Sequence, residues 1–113
     1  MAESYKRLGA IAPADDSETL LYTTPSGSQS LISNITVTNR SSSSASFDIN
    51  IHETGSAPFT STNTNALYKT YLISANETQI LEPGIALSAS ASIVAKDNSG
   101  GNLTFSTYGV ELS

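Results

Sequence analysis

From residue 47 to residue 52 the apolar side chains fall on every second position. Phe47, Ile49 and Ile51 alternate with Asp48, Asn50 and His52. That period marks a strand with one face buried and the other in water. Leu103 and Phe105 alternate in the same way with Thr104 and Ser106. Between Ser30 and Thr38, Leu31, Ile35 and Val37 share one parity while Ile32 falls on the other, as in a strand buried on both faces at one end. Residues 18–23, 66–73, 78–81 and 91–95 are weaker strand candidates, the last carrying the β-branched pair Ile93-Val94.

The punctuation between these segments is of the turn type. Pro25-Ser26-Gly27, Arg40 with Ser41 to Ser44, Asn76, Pro83-Gly84 and Asn98-Ser99-Gly100-Gly101 separate successive candidates. No stretch repeats apolar residues at helical spacing, and the Ser/Thr load suits helix interiors poorly. About seven or eight short strands with regular turns predict an all-β fold, an antiparallel β-sandwich. Its strand order, jelly roll or immunoglobulin-like Greek key, stays open. Residues 1–17 lack the period, and Pro13 bars a helix through them, so they read as an extended N-terminal arm ahead of a sandwich domain at 18–113. Residues 53–65 form the one long connection. Phe59 stands there as an apolar residue in polar surroundings, and is read as a cap on the sandwich or as a partner anchor.

Composition narrows the function classes. The 113-residue chain has 10 acidic and 5 basic residues, for a formal charge of −5, and only 13% of its residues are charged. A nucleic-acid backbone would repel that balance. Cysteine is absent, which excludes disulfides and thiolate metal sites. No apolar run is long enough to cross a bilayer, and the start, Met1-Ala2-Glu3-Ser4-Tyr5-Lys6-Arg7, has no apolar core after its positive charges, so a cytosolically made product is expected. A core this small, closed by packing alone, favours completion by oligomerisation.

Catalytic chemistry finds little support. His52 is the single histidine, placed by parity on the wet face beside Glu53. Serines are so numerous that their co-occurrence with it carries no information, and no Gly-x-Ser-x-Gly elbow is present. One imidazole cannot hold zinc. The acidic cluster Asp15, Asp16 and Glu18 lacks the glycine and distant glutamate of a calcium loop. Neither catalytic residues, nor a metal, nor a cofactor is therefore expected. Tyr5, Tyr22, Tyr68, Tyr71 and Tyr108 suit core edges and subunit contacts better than a sugar platform.

An ordered set of segments carries a further signal. Tyr5-Lys6-Arg7-Leu8-Gly9, Leu21-Tyr22-Thr23-Thr24-Pro25 and Ile32-Ser33-Asn34-Ile35-Thr36-Val37-Thr38-Asn39-Arg40 open the series. Ile73-Ser74-Ala75-Asn76-Glu77-Thr78, Gly84-Ile85-Ala86-Leu87 and Leu103-Thr104-Phe105-Ser106-Thr107-Tyr108-Gly109 continue it. Together they resemble a recurrent family of small virion structural proteins of tailed bacteriophages, over nearly the whole chain. The tract from residue 56 to residue 65 departs from that likeness. The resemblance implies a non-enzymatic virion part, with capsid decoration (cement) over the major capsid protein shell as the favoured station. It further implies a virion location and a homo-oligomer, with a trimer favoured. Within the arm, Tyr5, Lys6, Arg7 and Leu8 are the expected partner contacts, the basic pair meeting shell carboxylates and the other two adding apolar anchoring. A neck, tail or fibre component is the alternative station. A carbohydrate-binding module using residues 53–65 and a small hydrolase using His52 follow as rivals of other classes.

Overall fold

A computed structural model describes residues 3–14, 17–52, 66–98 and 100–112. Strands in chain order are β1 (Glu3–Ile11), β2 (Glu18–Thr23), β3 (Gln29–Asn39), β4 (Ala45–His52), β5 (Ala66–Ile73), β6 (Thr78–Leu81), β7 (Ile85–Leu87), β8 (Ser92–Asp97) and β9 (Leu103–Leu112). They form two antiparallel sheets packed as a sandwich. One has the order β1-β9-β3-β6, with β7 pairing β3 beside β6; the other has the order β2-β8-β4-β5.

The pairing is nested. β1 pairs β9, β2 pairs β8, β3 pairs both β6 and β7, and β4 pairs β5. The chain is thus one long two-ply ribbon whose first half runs against its second half in reverse order. Folding that ribbon brings β3 against β9 and β4 against β8. This is a jelly roll, which resolves the strand order left open by the sequence. The ply opposite β3 is split into β6 and β7 by Glu82-Pro83-Gly84, where proline removes a ladder donor and Gly84 takes φ 57°.

The core lies between the sheets. Phe47 of β4 meets Phe105 of β9 edge-on across the gap, with ring centroids 5.5 Å apart. Ile35, Val37, Ile49, Ile73, Ile93 and Leu103 fill the space around them. The alternation that predicted β4 and β9 therefore points their apolar parity inward as read.

Three readings change. Part of the segment read as an arm is a strand: residues 3–11 form β1, paired with β9 from Glu3↔Leu112 to Ile11↔Phe105. Close approach makes this possible at Gly9, where a Cβ would stand 2.3 Å from the Leu21 carbonyl oxygen. In β3, Ile32 is 1% exposed and Leu31 45%, the reverse of the parity read from sequence. The register shifts between Ile32 and Asn34, and the extra residue at this bulge turns the first half of the strand over. Lastly, Asp48 and Asn50 do lie on the outer side of β4, but that side is not wet there: both are buried and hydrogen-bonded.

Candidate functional site

Two clusters of chemistry-bearing side chains among the described residues brace the fold. The first surrounds Asp48. Between Ile49↔Tyr68 and Phe47↔Tyr71, Lys69 and Thr70 of β5 oppose Asp48 alone, which is a β-bulge. Thr70 sits at φ 49°, unusual for a β-branched residue. Its N–H donates to Asp48 Oδ1 at 2.7 Å, Asn98 Nδ2 donates to the same oxygen at 3.0 Å, and Lys69 Nζ meets Oδ2 at 3.0 Å. Burial pushes the Asp48 carboxyl up, but the Thr70, Asn98 and Lys69 bonds outweigh it and hold the group below the usual carboxylate range.

A second cluster ties the two sheets together. Tyr22 of β2 donates to Glu111 Oε2 of β9 at 2.6 Å and shares a 2.7 Å hydrogen bond with Ser30 of β3. Burial, joined by the Glu111 carboxylate, pushes the Tyr22 phenol up to about 12. The same bond from Tyr22 holds Glu111 below its ordinary value. Lys6 Nζ stands 3.4 Å from Glu111 Oε1. His52, half-buried at the end of β4, lies opposite Ser92. Among the described residues, no three His, Cys, Asp or Glu side chains gather in a way that could hold a metal ion.

The outer face of the five-stranded sheet is of another kind. Residues directly opposite across a strand pair share a face. The exposed Leu31 therefore fixes a row Tyr5–Val110–Leu31–Ala86 across β1, β9, β3 and β7. One row follows as Arg7–Tyr108–Asn34, and another as Ala10–Ser106–Thr36–Ile80. Tyr5 is 63% exposed and Ile80 59%. Among the described side chains of these rows, Arg7 is the single charge. These three rows, with one described charge and exposed large apolar groups, can dock a protein surface.

The expected arm contacts divide by strand parity. Tyr5 and Arg7 lie on the outer face. Lys6 lies on the other side of β1 and reaches Glu111, while Leu8 packs partly buried against the core. Phe59 and the loop 53–65 lie outside the described residues. Tyr68 and Tyr71 pack edge to face 5.5 Å apart on the inner side of β5, so of the five tyrosines only Tyr5 and Tyr108 stand on the outer face. Sequence reasoning did not find the row through Leu31 and Val110, because it exists only once the pairing of β1, β9, β3 and β7 is known. The one local hint was the pair Leu31-Ile32, which breaks the alternation.

A comparison with protein-family models finds no matching family, and a search of curated proteins finds no significant match to the chain.

Proposed function

We propose that the chain is a non-enzymatic structural part of a tailed-bacteriophage particle, a capsid decoration protein carried on the shell of major capsid protein. The observation that carries this reading is the broad outer face of the five-stranded sheet, poor in charge and set with exposed Tyr5, Leu31 and Ile80. Depletion of charge with exposed aromatic and aliphatic groups is the composition of a contact surface. The ionisable groups Asp48, Glu111 and Tyr22 serve as braces, which suits a part that bears load. The ordered sequence likeness to small virion proteins points the same way, and the fold itself is common to many functions. Pairing of β1 with β9 makes Tyr5 and Arg7 parts of a rigid face rather than of a loose tether.

Copy number on purified particles, read from a quantified gel, tests the proposal. A lattice-bound decoration protein is present in on the order of hundreds of copies per particle. About eighteen copies or fewer would place it at the neck or tail instead, and its absence from particles would remove the virion reading altogether.

A further inference from the structure

The outer face of the five-stranded sheet complements itself. Its row Tyr5–Val110–Leu31–Ala86 begins with a large residue on β1 and ends with a small one on β7. The row Ala10–Ser106–Thr36–Ile80 does the opposite, beginning small on β1 and ending large on β6. Consider a two-fold axis in the plane of contact, running along the strands between β9 and β3. It lays Tyr5 over the second copy's Ala86, Ile80 over the second copy's Ala10, and Val110 over the second copy's Leu31. At both edges a protruding side chain meets a small one.

We infer that this face is the contact between two copies of the chain, joined about that axis as an isologous dimer. Charge permits a second copy as the occupant. Each chain carries −5 overall, so two copies repel unless they meet where charge is thin. Arg7 is the one described charge in these rows, and the axis carries the two Arg7 side chains to opposite edges of the contact. Area allows it as well. Four strands about 4.8 Å apart and ten residues rising about 3.3 Å each make a face of roughly 600 Å². Two such faces bury about 1,200 Å², the lower end of stable specific interfaces. Sheets of this kind pack about 10 Å apart with strand directions within about 30°. An isologous contact about a two-fold axis closes with two copies, so the unit is a dimer in place of the trimer expected from sequence. The inference goes beyond the virion reading and does not depend on it: it gives this face to a second copy, so that a dimer on a particle would meet the shell through its other surfaces.

Sedimentation equilibrium of the full chain tests it, with thermal unfolding of each variant showing that the fold is kept. The wild type should be dimeric at about 100 µM. Leu31→Glu, which places like charges on both sides of the two-fold axis, should weaken the dimer by at least about thirtyfold. Ala86→Tyr should weaken it by about tenfold, through collision with the second copy's Tyr5, and the double variant Tyr5→Ala/Ala86→Tyr should recover most of that loss. Leu72→Glu, at a 74% exposed site on β5 of the other sheet, should leave association unchanged. A monomeric wild type overturns the inference, as does a dimer indifferent to Leu31→Glu. Failure of the double variant to recover overturns the two-fold arrangement. Loss of particle binding by a Leu31→Glu variant of a monomeric wild type would assign the face to a foreign partner instead. A dimer that behaves as expected but is missing from particles leaves this inference standing and removes only the proposed function.

Discussion

Replacing Asp48 by alanine removes the acceptor for Thr70 N–H, for the Asn98 amide and for Lys69 Nζ in one step. A hydrogen bond to a charged group contributes about 1.5–3 kcal/mol, and here two neutral donors lose one, though Thr70 is exposed and Asn98 half-buried so that water recovers part of the loss. Lys69 adds little, because its side chain is 64% exposed and water replaces the carboxylate. Asp48→Ala should therefore destabilise the fold by about 2–4 kcal/mol, Lys69→Ala by less than about 1 kcal/mol, and Asp48→Asn by about 1 kcal/mol because an acceptor for Thr70 survives. Urea unfolding at pH 7, followed by tyrosine fluorescence, measures all three. The carboxyl is held below its ordinary range, so its contribution is fully present above the unfolded value of about 3.9 and is lost as pH falls through the folded value. The gap between wild type and Asp48→Asn should accordingly close in acid. An Asp48→Ala loss below about 1 kcal/mol, or a gap that stays constant with pH, would refute the claim that this carboxylate holds the bulge.

Three other outcomes follow from features described above. Asn50→Asp would set a second carboxylate against Glu18 Oε1, to which the buried Asn50 amide now donates at 3.2 Å; it should cost about 2–4 kcal/mol in urea unfolding at pH 7. Gly9→Ala forces a methyl group into the Leu21 carbonyl and should cost about 1–3 kcal/mol, read as a lowered thermal midpoint. The Tyr22 phenol is neutral in the fold up to about 12, against about 10 when unfolded. Its contribution is therefore complete below pH 10 and declines by about 2–3 kcal/mol as pH rises toward 12, a slope that Tyr22→Phe should lack.

The strand text was legible wherever period two ran undisturbed. Phe47, Ile49 and Ile51 point inward as their spacing predicts, and the segments 18–23, 66–73 and 78–81 match strands β2, β5 and β6. What escaped depends on contacts distant in sequence. The bulge beside Ser33 reverses the parity of Leu31 and Ile32, and nothing local announces it. Asp48 and Asn50 look like solvent-facing residues until β5 supplies Lys69 and Thr70, and β2 supplies Glu18. The segment 3–11 has no strong alternation because it is an edge strand with its own register shift between Arg7 and Gly9. For the same reason the uncharged outer face could not be read: its rows are assembled from strands up to about a hundred residues apart along the chain.

The nested ribbon has a consequence for how the protein comes into being. β9 is the last of these nine strands to be synthesised, and both β1 and β3 need it as their neighbour. Until it emerges, β1 has no ladder to join and Phe47 lacks its ring partner Phe105. Closure must therefore wait until β9 has been made, and a fragment ending before Leu103 should expose two bare strand margins and aggregate rather than fold.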